Sequence, residues 1–572
     1  MMGLAHRIAV ARGQAPADLV LRGARLLNVC TGLVEAEDVV VAEGRVVALG
    51  TGYRAQREVD LEGRFLVPGL IDAHMHLEST MMVLAEFART VVPHGTTTVV
   101  LDPHEFANVL GLEGIRYVLD SGRDLPLSAY VMLSSCVPAS TFETPLQPLR
   151  AADLVPLLEH SRVLGLAEMM DVAGVLSGEP DVLAKIEAVR ALGGLVDGHA
   201  PGLSGRDLCA YATAGPMSDH ECSTPAEARE RLRLGMWLMV REGSATRNLH
   251  ALLPVIQELH PPRALFVTDD RDPFDLLTRG HMDSVVREAI AGGLDPIEAV
   301  RMATLNPAQY LGLRDRGLVA PGCVADLVVV DDLERFQVQS VYKDGELVAE
   351  AGRPLFAATG ERAVPPAHGL TVAPLTAEML VIRGRPGPVA IIGVEDGTIT
   401  TQHLVEEAPW RDGQLVADPA RDLCKMIVVD RHHGSGRAGL GLVRGMGLRE
   451  GAIASTVAHD AHNLLAVGVD DRDMRLAMEA VVRAQGGFAV AAGGRVLATV
   501  PLPIGGLVSA LPVVELAARL EALDGAAAAL GCRLAHPCAT LSFLCLSVVP
   551  SLKLTDQGLV DVEAGRLVPM QA

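Results

Sequence analysis

The 572-residue chain is 49% apolar and 21% charged, too apolar for a disordered polymer and long enough for two or three domains. Its formal charge of −21 at pH 7 sets an acidic surface against phosphate backbones and anionic lipid, so neither nucleic acid nor a membrane is an expected partner. Nine scattered cysteines contain no CxxC pair, which excludes a zinc ribbon or a disulfide framework and fits a reduced, cytoplasmic setting.

The first residues, MMGLAHRIAVARGQAPADL, read as a short charged helix without the apolar run of a signal peptide. From Asp18 to about Phe65 the chain reads as short strands, with a turn at Glu43-Gly44, and the same texture returns over Val324–Val348, with a turn at Asp344-Gly345. These flanks are expected to build one small β-sandwich domain from residues 1–66 and 314–370. Between them, strands are expected at Leu66–His74, Gly95–Asp102, Ser128–Ser134, Val163–Glu168, Gly194–His199, Pro216–His220, Trp237–Arg241 and Ala264–Asp269. Helices separate most of them. Asp181–Leu192 repeats its apolar residues every 3.6 positions, and Asp295-Pro296-Ile297-Glu298 is a helix start with Asp as N-cap and Pro at the first helical position. Eight alternations in about 250 residues predict a (β/α)8, TIM-like barrel over 67–313. The Pro-rich run Val364–Gly369 marks a boundary near 370, beyond which a mixed α/β domain is expected over 371–572. Two charge-free stretches there, Val496–Val514 and Leu534–Leu552, are broken by prolines and are expected to be buried strands with turns, not membrane spans.

The polar residues cluster where barrel strands end. His74 and His76 stand two apart on an extended chain and project to one side; Glu168, His199, His220 and Asp269 close the fourth, fifth, sixth and eighth strands. Six such groups at one end of a barrel suit two divalent ions sharing a carboxylate and a water.

The run Pro68-Gly-Leu-Ile-Asp-Ala-His-Met-His resembles the amidohydrolase superfamily. Further runs narrow the likeness: DAHMHLEST (72–80), HGTTTVVLDPHEFANVLG (94–111), GLAEMMDVAGV (165–175), DGHAPGLSG (197–205), SDHECST (218–224), TDDRDP (268–273), RHHGSGRAGLGLVRG (431–445) and VAHDAHNLLAVG (457–468). Together they resemble the prokaryotic adenine deaminase family across nearly the whole chain. That resemblance implies hydrolysis of adenine to hypoxanthine and ammonia for purine salvage, by hydroxide attack at C6, with Mn2+ or Fe2+ favoured over Zn2+. Many relatives in the superfamily bridge their metals with a carbamylated lysine. Here the barrel's only lysine is Lys185, inside a predicted helix, so Glu168 is the expected bridge. His74, His76 and Asp269 are then assigned to one ion and His199 and His220 to the other, with Asp269 also carrying protons. His104 and Glu105 are candidates for substrate or metal contact; Glu242, Asp270, His281, His459 and His462 are candidate substrate contacts. A purine base is the expected partner and a homo-oligomer the expected assembly. The residues alone leave open another amino-heterocycle, a cyclic amide, or a non-catalytic scaffold.

Overall fold

The computed structural model describes residues 2–357 and 370–571, so the Pro-rich run at 364–369 lies outside the described residues. The two flanks join in one nine-stranded sheet. Its junction is the pairing of Phe65–Pro68 with Leu327–Val330, antiparallel, beside Ala17–Asn28. Leu19, Leu21, Val39 and Leu66 from the first flank share a buried cluster with Leu327, Val329 and Tyr342 from the second, so this domain cannot form without both segments.

Eight parallel strands follow: β1 Leu70–Met75, β2 Thr96–Leu101, β3 Ser128–Leu133, β4 Val163–Met169, β5 Leu195–Gly198, β6 Ser218–Asp219, β7 Trp237–Arg241 and β8 Ala264–Val267. The strands form runs of five and three. The runs meet where Met217 N donates to Val196 O (3.3 Å), between β5 and β6. The barrel closes where Asp269 N donates to His74 O (3.1 Å) and His76 N to Asp269 O (3.0 Å). Ile71, Ala73, Val100, Met132, Ala167, Met239, Leu265 and Val267 form one buried cluster contributed by strands all round the barrel, with Tyr310 and Leu311 packed against it.

One expected strand divides. Leu66–His74 reads as continuous, but Phe65–Pro68 belongs to the flanking sheet and β1 begins at Leu70. Gly69 is the joint: a side chain there would meet the Thr97 side chain at 2.2 Å, and its N–H donates to Asp326 O at 2.8 Å. The helix at Pro180–Ala191 and the Asp295 N-cap, which accepts from Ile297 N and Glu298 N, fall where their patterns place them.

Glycine 165 in β4 leaves no room for a methyl group, because a Cβ would sit 2.0 Å from the Leu195 carbonyl oxygen of β5. Backbone cannot swing aside as a side-chain tip can. Gly165→Ala is therefore expected to cost about 1–3 kcal/mol or more, read as a lower thermal unfolding midpoint and poorer soluble yield; an unchanged midpoint would show that the two strands yield freely.

The C-terminal region is built on an eight-stranded sheet running from Gln402–Glu407 at one edge to Arg495–Pro501 at the other, with helices Asp471–Arg483 and Val513–Ala529 against it. The charge-free stretch 534–552 departs from expectation: it holds a short helix, Pro537–Ser542, and a strand begins only at Leu552. Pro537 at the first helical position and the absence of β-branched residues before Thr540 favour the turn of helix. The other stretch is also less buried than expected, with Val496 and Leu497 exposed on an edge strand. Among the described residues no helix is long and apolar enough to cross a membrane.

Candidate active site

The six strand-end residues converge. His76 Nε2 lies 3.1 Å and His74 Nε2 3.4 Å from Asp269 Oδ1. Glu168 stands between two histidine groups. Its Oε2 faces His199 Nδ1 (2.7 Å) and His220 Nε2 (3.1 Å); its Oε1 faces His76 Nε2 (3.5 Å) and His104 Nδ1 (3.6 Å). All are buried except His199, which is partly exposed. Asp269 takes a positive φ of 59°, a left-handed conformation costly for a residue with a side chain, and its two backbone bonds to β1 hold it there.

Charge within this cluster is balanced internally. Burial disfavours an ionised Glu168, but His199 and His220 outweigh it and hold the carboxyl well below its usual range. His220 is correspondingly pushed up to about 9: burial opposes its charge and Glu168 overcomes the opposition. Burial likewise works against an ionised Asp269, and Arg241, whose Nη1 lies 2.9 Å from Asp269 Oδ2, keeps it low. Arg241 also grips Glu221, which faces His220 Nε2 at 3.4 Å. A guanidinium fits this bridging role because its fork meets two carboxylates at once.

These groups can hold cations. Nε2 of His74 is buried and has no hydrogen-bond partner. His76 donates from Nδ1 to the Asp102 carbonyl oxygen at 3.1 Å, which turns its Nε2 lone pair toward Glu168 and Asp269. Four donor groups share these residues: His74, His76 and Asp269; His74, Glu168 and His220; His76, Asp102, His104 and Glu168; and His199, His220 and Glu221. Glu168 belongs to two of them. Imidazole and carboxylate donors with no thiolate suit a hard or borderline divalent ion. Lys185 is elsewhere, with Nζ donating to Ser135 O at 2.9 Å and paired with Asp181.

Beside the cluster opens a cavity of about 260 Å³, sized for a small heterocycle. The barrel supplies Ser79, Glu105 and Asp270; the C-terminal domain supplies Ile399, His459 and Phe543. The turn His459–Asn463 thus lies at the barrel mouth of its own chain. His459 Nδ1 is 3.0 Å from Glu105 Oε1, and Asp460 Oδ1 is 3.6 Å from His104 Nε2. Asp270 accepts from the Ser79 hydroxyl; burial and the neighbouring Asp269 raise its pKa.

Four candidate contacts fall outside the cavity wall, His104 because it faces Glu168. His281 is fully buried, with Nδ1 2.8 Å from the Thr96 hydroxyl and Nε2 3.2 Å from Asp72, and it packs edge-on to Phe87. His462 is also fully buried, behind Glu105, with Nδ1 accepting from Ala458 N at 3.0 Å. Glu242 turns inward to accept from Leu249 N at 3.4 Å, and burial lifts its carboxyl to about 7. Conversely, Asp102, Asp197, Glu221 and Arg241 belong to the site although the sequence reading passes over them. Asp102 follows β2 and Asp197 lies in β5, so the strand-end argument extends to both. Asp460 carries no such signal.

The amidohydrolase family model matches residues 65–348, and the adenine deaminase C-terminal domain model matches residues 398–566. The adenine deaminase of Desulfatibacillum aliphaticivorans is 46% identical over 563 residues, covering 98% of this chain and 99% of that one. Those of Dehalococcoides mccartyi strain CBDB1 (44% over 568 residues, 99% of each) and Cereibacter sphaeroides strain ATCC 17025 (46% over 558 residues, 98% of each) are similarly close. With both domains matched and identity sustained end to end, the chain belongs to the adenine deaminase family of amidohydrolases.

Proposed function

We propose that this chain hydrolyses adenine to hypoxanthine and ammonia, with His74, His76 and Asp269 holding one divalent cation, His199 and His220 a second, and Glu168 shared between them. The observation that carries this reading is the position of Glu168, whose two oxygens face separate histidine groups. Family membership supports adenine as the base. Mn2+ is the expected ion, with Fe2+ or Zn2+ as alternatives for the same nitrogen and oxygen donors. When bound, such cations supply Lewis acidity and a nucleophilic water at neutral pH.

The remaining work falls to side chains. Asp269 is ionised beside Arg241 and accepts a proton from the attacking water. Addition at C6 moves an electron pair onto ring nitrogen N1, which takes one proton of the water. The second proton goes by way of Asp269 to the exocyclic amine, which leaves as ammonia while C6 becomes a carbonyl. The C-terminal domain supplies part of the wall beside this exchange.

The test is ammonia release from purified, Mn-supplemented enzyme across adenine, other aminopurines and cyclic amides. Adenine should give stoichiometric ammonia and hypoxanthine, with two metal ions per chain by elemental analysis. Turnover of a cyclic amide in place of adenine would move the chain to another amidohydrolase activity, and a metal-free, inert protein would make it a scaffold. A cytoplasmic homo-oligomer acting in purine salvage completes the proposal.

A further inference from the structure

Glu105, His459 and His462 form a second group of buried donors beside the metal cluster, drawn from both domains. Their spacing alone would admit a cation. The hydrogen bonding does not: His462 Nδ1 accepts from Ala458 N, so the neutral ring carries its proton on Nε2, the atom facing Glu105 Oε2 at 3.7 Å. A protonated nitrogen is no ligand. The arrangement is instead a chain of side chains, His462 to Glu105 to His459, whose last member lines the cavity.

His459 is held on every side. Its backbone N–H donates to Ser542 O at 2.9 Å, and its ring stacks on Phe543 with centroids 4.9 Å apart. The next two backbone N–H groups donate to Glu143 of the barrel, at 3.3 and 3.1 Å. Nδ1 is engaged by Glu105, which leaves Nε2, without a partner among the described residues, for whatever fills the cavity. The order nucleophile, orienting acid and imidazole is absent, so the ring is placed for recognition of a bound molecule.

Resting on the purine reading above, we propose that His459 is a purine-contacting residue supplied by the C-terminal domain, its Nε2–H donating to N7 of the base. C6 is flanked by two acceptor positions. N1 must meet the proton exchange around Asp269, and N7 is the in-plane acceptor on the other side of the reacting carbon, across C5. Burial disfavours a charged His459, but the Glu105 carboxylate 3.0 Å from Nδ1 outweighs it and favours the ring protonated at both nitrogens. C-terminal residues thereby take part in choosing a base with an imidazole edge over one without it.

A binding cycle that needs no turnover tests this. The affinities of hypoxanthine and 7-deazahypoxanthine for metal-loaded enzyme are measured by calorimetry, in wild type, His459→Phe and His459→Gln. Phe keeps the stack on Phe543; Gln keeps a donor for Glu105, which guards against collapse around an unpaired carboxylate. Wild type should prefer hypoxanthine by roughly 10- to 100-fold, the scale of one hydrogen bond from a charged donor. In His459→Phe that preference should vanish, and both ligands should bind as 7-deazahypoxanthine binds wild type. A wild type indifferent to N7 overturns the proposal whether or not the variants fold. Folded variants that keep the preference also overturn it. Ammonia release from adenine is scored separately: an enzyme that discriminates N7 but releases no ammonia refutes the deaminase reading and leaves the His459 contact standing.

Discussion

Glu168→Ala is expected to empty the metal centre and abolish turnover together. The carboxylate lies within 3.6 Å of four imidazoles, from β1, the β2 loop and the ends of β5 and β6. No neighbour can replace it: Lys185, the barrel's only lysine, points at Ser135. Loss of the shared ligand should reduce metal content from two ions per chain to one or none, and kcat/KM by about 10³-fold or more. Glu168→Gln sharpens the test, because the amide keeps the volume and one carbonyl donor while discarding the charge. It should retain the fold and still lose the second ion. Elemental analysis and ammonia release on the same preparations decide the matter: either variant carrying two ions per chain at wild-type turnover would show that the cations are held without Glu168.

The cluster of buried histidines and carboxylates was legible because barrel geometry converts strand ends into spatial neighbours. His74, Glu168, His199, His220 and Asp269 are separated by up to 195 residues, yet all but His220 end or follow a recognisable apolar run, and the fold does the rest. The weak sixth strand illustrates the limit: only Ser218–Asp219 pairs, and His220 stands just past it. His281 shows a second limit. A histidine in a loop-like RGHMDS run has no strand period to say which way it faces, and burial against Phe87 and Asp72 comes from the following helix. The C-terminal wall is legible only in part: the polar run His459–Asn463 marks a candidate turn over the barrel mouth, in the same or a neighbouring subunit, but not the groups it meets. Nothing in AHDAHN says that Glu143, more than 300 residues earlier, will receive its backbone N–H groups, or that Asp460 will approach His104. Docking of one domain on another depends on surface shape, which periodicity does not encode.

Asp269→Asn should separate metal binding from proton transfer. The residue holds φ at 59°, a conformation asparagine tolerates better than most side chains, and its backbone bonds to His74 and His76 do not depend on the side chain. The amide oxygen can still face His76 Nε2, so the chain should fold and keep a substantial part of its metal. What disappears is the negative charge beside Arg241 and the capacity to accept a proton. Turnover should therefore fall by about 10²–10⁴-fold, the usual contribution of a positioned acid–base group, with metal occupancy falling far less. Asp269→Ala serves as the contrast: it removes the donor oxygen and places a methyl-bearing residue in a left-handed conformation, so metal and stability should decline along with activity. If Asp269→Asn instead turned over adenine at the wild-type rate, proton transfer would have to pass to another acid. Asp270 lies next in the chain and lines the cavity, but its carboxyl is held up by burial and by Asp269 itself. Neutralising Asp269 would lower that barrier to ionisation, so the double variant Asp269→Asn/Asp270→Asn identifies the substitute: a further collapse of kcat assigns the proton to Asp270, and no further change excludes it.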